Sequence, residues 1–347
     1  MLIETEDLIY ETFFRYIQIE ITGICNMKCK HCRASNEIGV NMSIETIKKV
    51  LVFAKANSEE YFCLTISGGE PFCHPDLLDI IKLAKNMGIE NIAITTNGSL
   101  VTDRLIKELE SIAIENLHIQ VSIDSVNPQK HNLFRGHRMA FEKAIICLTR
   151  IAGSNIFPSL RMAVLPSTID EMDAMIKLAM ECNITSIGFN PVIPIGRGGT
   201  NRDLVMNPVQ KRNFLDNLVY CIKNYPEMDI TTEDPLQCLA HDFSLANCDD
   251  MAFFGGCTAG ITSFGVSSIG DITACALLSK PIVNINDGTP EEISEIYAKS
   301  EIILSLISRK YKGKCGTCSL KRMCGGCRAV AEGVNGDYLS SDITCWR

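Results

Sequence analysis

The strongest constraint on the fold is an alternation of short apolar strands and amphipathic helices between Tyr16 and about residue 200. The stretch "YIQIEIT" at 16–22 alternates isoleucines with polar residues, a period of two that predicts a half-buried strand. Five further strands are predicted, each followed by a helical pattern: "FCLTIS", "NIAITT", "LHIQVSI", "SLRMAVL" and "SIGFNPV". Six strand–helix units predict an α/β fold with a parallel sheet, right-handed crossovers and a curved or closed shape.

Helix starts are marked by capping residues. The hydroxyl of Ser43 can cap the helix "SIETIKKVLVFAKA", and further helices are predicted after Pro75, from Thr102, around 139–152 and from Thr168. The last helix of the alternating region is "NPVQKRNFLDNLVYCIKN".

The alternation ends near residue 226, where "NYPEMDITTEDP" introduces prolines and acids. Beyond it, "GITSFGVSSIGDITAC" predicts a hairpin turning at 268–271. A capping box at Thr289 and Glu292 predicts a helix that runs to about Ser308. We therefore expect an N-terminal extension at 1–15, a barrel-type domain at 16–227 and a small cysteine-rich α+β domain at 228–347.

Charge and composition narrow the function classes. The formal net charge is -8, which disfavours a nucleic-acid backbone as the main partner. The acidic N-terminus does not resemble a secretory signal, and no apolar run is long enough to span a bilayer, so we expect a cytoplasmic protein that does not bind membranes. In that compartment disulfides are rare, so the seventeen cysteines favour metal ligation or thiol chemistry.

The octapeptide "CNMKCKHC" carries the most specific cysteine pattern. Cys25, Cys29 and Cys32 form a C-x3-C-x2-C run, which can hold three irons of a cubane cluster and leave the fourth iron open. An open coordination position is typical of a metal site that does chemistry. A zinc loop, with His31 or a distant residue as the fourth ligand, is the alternative.

The ends of the following strands carry polar motifs. The loop of Cys25 follows the first strand, and in strand–helix folds the loops after strands build the active site. The next three strands end in "SGGEP", "TTNG" and "SIDS". Glu70 can accept hydrogen bonds from an ammonium group, and Ser122 and Asp124 lie on one face of a strand end. We expect these motifs to lie along one rim of the sheet.

Together these motifs resemble radical S-adenosylmethionine (radical SAM) enzymes, and "HNLFRG" at 131–136 adds to the likeness. The resemblance implies a partial (β/α)6 TIM-like barrel whose 4Fe-4S cluster binds the amino and carboxylate groups of S-adenosylmethionine. It implies that Gly68, Gly69 and Glu70 face the methionine amino group, and that Ser122, Asp124 and Arg135 hold the ribose and carboxylate. The remaining residues it implies for cofactor binding are His31, Thr96, Asn97 and Asn190. One departure is Ser125, where relatives often have glycine.

The downstream cysteines resemble the SPASM extension of radical SAM enzymes, which holds two auxiliary 4Fe-4S clusters. The resemblance implies that Cys257, Cys275 and Cys327 ligate the first auxiliary cluster. It implies four ligands for the second: Cys315, Cys318, Cys324 and Cys345. For the missing ligand of the first, Cys248 is the nearest candidate and Cys238 the next; otherwise that iron is open. A zinc ribbon is the alternative interpretation of all these downstream cysteines.

The implied function is reductive cleavage of S-adenosylmethionine to a 5'-deoxyadenosyl radical that abstracts hydrogen from a substrate. A ribosomally made peptide or protein, modified by crosslinking, epimerisation or oxidation, is the favoured substrate. Tetrapyrrole side chains are the alternative, to which "PIGRG" at 194–198, "CGGCRA" at 324–329 and the short N-terminus point. The expected partners are a reductant such as flavodoxin or ferredoxin and, for a peptide, a separate leader-binding protein. An iron-sulfur electron carrier without radical chemistry is the alternative from another class.

Overall fold

The computed structural model describes residues 1–6, 8–36, 39–240 and 256–347. Ten strands form one sheet and two form a separate N-terminal hairpin. The hairpin is β1 (Leu2–Glu4) and β2 (Ile9–Glu11). The sheet comprises β3 (Phe14–Thr22), β4 (Ser58–Gly68), β5 (Asn91–Thr96), β6 (Asn116–Ser122), β7 (Phe157–Val164), β8 (Ser186–Pro191), β9 (Asp229–Thr231), β10 (Ser263–Val266), β11 (Asp271–Thr273) and β12 (Pro281–Asn284).

The sheet is parallel through most of its width. Its strand order is β12-β11-β10-β3-β4-β5-β6-β7-β8-β9, and each neighbouring pair from β10 to β9 is parallel. The predicted hairpin at 268–271 is present, since β10 and β11 pair in antiparallel fashion. The mixed α/β fold with a parallel sheet is therefore confirmed, and all six predicted strands fall in β3 to β8 in chain order.

Twelve α-helices lie in the described residues. They are α1 (Ile44–Asn57), α2 (Leu77–Asn86), α3 (Asp103–Ile112), α4 (Pro128–Arg135), α5 (Ala140–Ala152), α6 (Met172–Glu181), α7 (Gly196–Thr200), α8 (Pro208–Asn224), α9 (Pro290–Lys299), α10 (Glu301–Ile307), α11 (Gly313–Thr317) and α12 (Arg328–Asn335). Ser43 and Thr102 cap α1 and α3 through their side chains, as predicted. No helix of the described residues is long and apolar enough to cross a membrane.

The two faces of the sheet differ in polarity. On β3, Ile17, Ile19 and Ile21 are fully buried in the same core as the apolar residues of α1 and α2. The alternate positions carry Gln18 and Glu20, which turn to the opposite side because side chains alternate along a strand. We call this polar side the inner face.

The C-terminal part of the chain adds strands to the sheet. β10 pairs with β3, so the first strand of the alternating region lies between a C-terminal strand and β4. The domain boundary near residue 228 stays a prediction. The helix predicted from Thr289 to about Ser308 is interrupted, because Ser300 adopts an extended conformation and caps α10 through its hydroxyl. The capping box of Thr289 with Glu292 is present.

Candidate active site

The cysteine loop follows β3 and is fixed to the end of β4. The amide of Gly69 donates to the carbonyl of Thr22 at 2.7 Å, and the amide of Glu70 donates to the carbonyl of Ile24 at 2.9 Å. In the loop, Cys29 is buried and Cys25 is exposed. The backbone of β4 therefore sets the position of the first cysteine of the run.

The two glycines of "SGGEP" allow this close approach. Gly68 has a φ of +141°, and a Cβ there would lie 2.3 Å from the carbonyl oxygen of Thr22. A Cβ on Gly69 would lie 2.2 Å from the carbonyl oxygen of Ile24 and 3.0 Å from the Cβ of Cys25. Since any side chain would push the cysteine loop away, both positions require glycine.

Glu70 joins the ends of β4 and β5. Its buried carboxylate accepts hydrogen bonds from the hydroxyl of Thr96 at 2.7 Å, the amide of Asn97 at 2.8 Å and the amide of Phe72 at 3.2 Å. Burial raises the pKa of Glu70, and these three donors oppose that rise. A carboxylate has about four lone-pair sites, so a ligand ammonium group would meet an acceptor already oriented by the protein.

Asp124 and Arg135 form a buried bidentate ion pair. Nε of Arg135 lies 2.5 Å from Oδ2 of Asp124, and Nη2 lies 2.9 Å from Oδ1. Burial would raise the pKa of Asp124, but the Arg135 guanidinium outweighs it, with His31 and His131 adding to the effect, and holds that pKa at about 2. The remaining terminal nitrogen of Arg135, Nη1, lies 3.9 Å from Sγ of Cys29. The pair therefore places a cation beside the cysteine loop.

His31 stacks on Phe134, with ring centroids 4.6 Å apart and an interplanar angle of 5°. Burial lowers the pKa of His31 to about 4, so the ring is neutral at pH 7. Its buried Nδ1 has no hydrogen-bond partner among the described residues. A buried polar atom normally has a partner, so this nitrogen marks a place where a ligand group fits.

The other predicted cofactor residues lie at the same strand ends. Ser122 is buried at the end of β6, and Asn97 donates from its side chain to Asn26 in the cysteine loop at 2.9 Å. Asn190 on β8 accepts from the amide of Glu233 at 2.7 Å. Ser125, the departure from the family pattern, donates to Glu171 at 2.5 Å and so fixes the turn after β6.

Two arginines that sequence reasoning did not assign also hold the cysteine loop. Arg197 donates from Nε to the carbonyl of Cys29 at 2.6 Å and from its amide to the carbonyl of Cys32 at 3.0 Å. Arg33 pairs with the buried Glu20 and donates to the carbonyl of Ala276 at 2.7 Å. The "PIGRG" motif contains Arg197, so it was visible in the sequence, but its contact with the cysteine loop was not.

The first set of downstream cysteines lies close to this region. Cys257 is close enough to Cys275 and to Cys327 to contribute to raising the pKa of each thiol. Burial is the main cause and raises the pKa of Cys275 to about 12. The assignment of these three cysteines to one auxiliary cluster stays a prediction. Cys248 lies outside the described residues.

The second set lines a single cavity of about 390 Å³, whose walls include Cys315, Cys318, Cys324 and Cys345. Cys238, the second candidate for the missing ligand of the other set, donates to the carbonyl of Pro235 at 3.1 Å and is close enough to Cys324 to contribute to the raised pKa of that thiol. It therefore lies beside this second set.

Buried arginines lie next to both downstream sets. Arg328 is 1% exposed, donates to the carbonyls of Tyr338 and Ser340, and lies 3.6 Å from Sγ of Cys315. Arg309 donates to the carbonyl of Cys257 at 3.0 Å. Buried cations need nearby negative charge, and thiolate-bound clusters supply it.

The donor set fits iron-sulfur clusters. Thiolates are the ligands that such clusters use, and each set combines several thiols with a nearby guanidinium. Across the part of the chain that the structure describes, no three His, Cys, Asp or Glu side chains are grouped closely enough to hold a metal ion.

Comparison with known proteins agrees with this geometry. The model of the radical SAM superfamily matches residues 19–179, which include the cysteine loop and the ends of β4, β5 and β6. Residues 19–179 therefore form a domain of the radical SAM superfamily. The chain is a radical SAM enzyme with a SPASM-like cysteine-rich C-terminal region, and enzymes with this domain bind a 4Fe-4S cluster and S-adenosylmethionine.

Relatives of this radical SAM enzyme fall into two groups. The AdoMet-dependent heme synthase of Methanosarcina barkeri is 26% identical over 95% of this chain and 96% of its own length. The subtilosin biosynthesis protein AlbA of Bacillus subtilis is 26% identical over 94% of this chain and 70% of its own length. Among solved structures, Streptococcus suis SuiB bound to S-adenosylmethionine has a TM-score of 0.77 at 18% identity, over 97% of this chain and 78% of that chain. SuiB has the same score when bound to its precursor peptide SuiA.

Proposed function

We propose that this radical SAM enzyme holds its catalytic 4Fe-4S cluster on Cys25, Cys29 and Cys32 and uses it to modify a substrate held at the inner face. The observation that carries the proposal is the meeting of the cysteine loop, Glu70 and the Asp124–Arg135 pair at one rim of the sheet. A bound cluster would supply the electron that cleaves S-adenosylmethionine to a 5'-deoxyadenosyl radical, with flavodoxin or ferredoxin as the reductant.

The chain's own residues bind and orient the cofactor in this proposal. Glu70 accepts from the methionine ammonium, and Gly68 and Gly69 face the same group. Arg135, kept charged by Asp124, faces the carboxylate, because a guanidinium makes strong charge-assisted hydrogen bonds with a carboxylate. The neutral ring of His31 offers Nδ1 to the nucleoside.

The proposal further includes two auxiliary 4Fe-4S clusters held by the downstream cysteines. Cys257, Cys275 and Cys327 hold the first, whose fourth iron is either bound by Cys248 or open. The second has four ligands, those that line the 390 Å³ cavity: Cys315, Cys318, Cys324 and Cys345. The neighbouring Arg309 and Arg328 support this assignment, because they offset the negative charge of the ligands.

For the substrate, we infer a ribosomally made peptide or protein whose side chain is crosslinked, epimerised or oxidised. AlbA takes part in the biosynthesis of a bacteriocin, and SuiB binds a precursor peptide. The inner face is open to solvent at Arg161, whose side chain is 29% exposed although β7 lies between two neighbouring strands. A chain segment can reach such a surface from outside.

A tetrapyrrole is the second candidate substrate. The heme synthase of Methanosarcina barkeri matches nearly the whole of both chains, and arginines on the inner face suit a substrate with carboxylate side chains.

One assay distinguishes a radical SAM enzyme from an iron-sulfur electron carrier. The chain is reconstituted anaerobically with iron and sulfide, reduced with dithionite in the presence of S-adenosylmethionine, and analysed for 5'-deoxyadenosine. We expect product from the native chain and none from Cys25→Ser. Cys63→Ser is the matched control, because Cys63 is a half-buried cysteine of β4 outside all three sets. A native chain with a loaded first cluster and no product would favour the electron carrier.

A further inference from the structure

Two arginine–glutamate pairs lie on the inner face, and they differ in exposure. The pair of Arg33 with Glu20 is largely buried, with the Glu20 side chain 3% exposed. The pair of Arg161 with Glu233 is open, with side chains 29% and 68% exposed. Only the open pair is accessible to a molecule that enters from solvent.

Arg161 lies beside the predicted S-adenosylmethionine site. It pairs in register with Ser122 of β6, and its carbonyl accepts from the amide of Ile123 at 2.9 Å. Its guanidinium also donates to the side-chain oxygen of Gln120 at 3.4 Å. A ligand bound to Arg161 would therefore lie next to the S-adenosylmethionine site.

Glu233 is a replaceable partner. Its carboxylate accepts from Nη2 of Arg161 at 2.9 Å and from Nη1 at 3.4 Å. Another carboxylate can reproduce this arrangement. An exposed ion pair contributes little net stability, because solvent screens it and both side chains lose freedom. The backbone amide of Glu233 donates to Asn190 at 2.7 Å and takes no part in the ion pair, so the side chain can turn without breaking that bond. Exchange of one carboxylate for another at Arg161 thus costs little.

We propose that Arg161 is a specificity-determining residue that binds a carboxylate group of the substrate and that Glu233 occupies this place when no substrate is bound. This proposal rests on the proposed function, because the molecule bound at Arg161 is taken to be the substrate of the radical reaction. It identifies that substrate as a carboxylic acid. The acid is borne either by a tetrapyrrole side chain or by a peptide.

Equilibrium dialysis of the reconstituted full chain tests the inference without any turnover. The probes are coproporphyrin III against its tetramethyl ester, and a short peptide ending in Asp against the same peptide ending in Asn amide. Arg161→Met should weaken binding of the acidic probe about tenfold or more, as for loss of a charged hydrogen bond. Glu233→Gln should tighten binding, because it removes the competing carboxylate.

Arg150→Met is the matched control. Arg150 forms a pair of similar exposure with Asp103, at 34% and 71%, but it projects from α5 away from the inner face. Porphyrin binding that depends on Arg161 and on free acid groups supports the tetrapyrrole source, and the same dependence for the peptide supports the peptide source. The inference is overturned if neither acid binds better than its neutral counterpart, or if Arg161→Met behaves like Arg150→Met. Binding and 5'-deoxyadenosine formation are measured separately. Failure of the Arg161 proposal can therefore be distinguished from failure of the proposed function.

Discussion

Substitution of Gly69 by alanine tests how the cysteine loop is positioned. The new methyl group would lie 2.2 Å from the carbonyl oxygen of Ile24, and real Cβ contacts essentially never fall below 3.0 Å, so the loop or β4 must move by about 0.8 Å. Overpacking of this kind costs about 1–3 kcal/mol. Two hydrogen bonds cross the same contact, from Gly69 to Thr22 and from Glu70 to Ile24, and each contributes about 1 kcal/mol.

The expected total of about 3–5 kcal/mol lowers the affinity of the loop for its cluster about a hundredfold or more, since about 1.4 kcal/mol is one factor of ten. Iron and sulfide per chain, measured after anaerobic reconstitution and passage over a chelator, should fall by one 4Fe-4S cluster. The control is Gly153→Ala, whose methyl group would meet its nearest atom at 3.6 Å. Equal iron content and equal 5'-deoxyadenosine in the two variants would refute the steric argument.

Asp124→Asn leaves the Arg135 guanidinium buried without its partner, so we expect about 3–5 kcal/mol less stability in denaturant unfolding; a loss under 1 kcal/mol would contradict the pairing. Because the pKa of Asp124 is lowered to about 2, its contribution is complete above about pH 4 and is lost as the pH falls toward 2. Acid unfolding of the cluster-free chain should therefore be less steep for Asp124→Asn than for the native chain; equal slopes would count against the lowered pKa. Cys345→Ser should lose one auxiliary cluster in iron analysis and electron paramagnetic resonance, whereas Cys238→Ser should keep all of them. Iron loss in Cys238→Ser would make that thiol a ligand.

Local patterns in the sequence predicted the elements that carry the site. A period of two places Ile17, Ile19 and Ile21 on one side of β3 whatever lies around them, and the caps at Ser43 and Thr102 act within one helical turn. The break at Ser300 was missed because the apolar pattern continues through it, although the Ser300 side chain accepts from the amide of Ile302 and caps α10.

The sequence by itself determined the identity and spacing of the thiols, the parallel strand–helix order and the rim on which the strand-end motifs lie, because each depends on residues only a few positions apart. Tertiary structure decided which side chains meet. Arg197 reaches the carbonyl of Cys29 across 168 residues, and Arg33 reaches Ala276 across 243. Such pairings follow from the packing of whole elements, which no local pattern encodes. They place two cations beside the cysteine loop, next to an inner face that is open at Arg161.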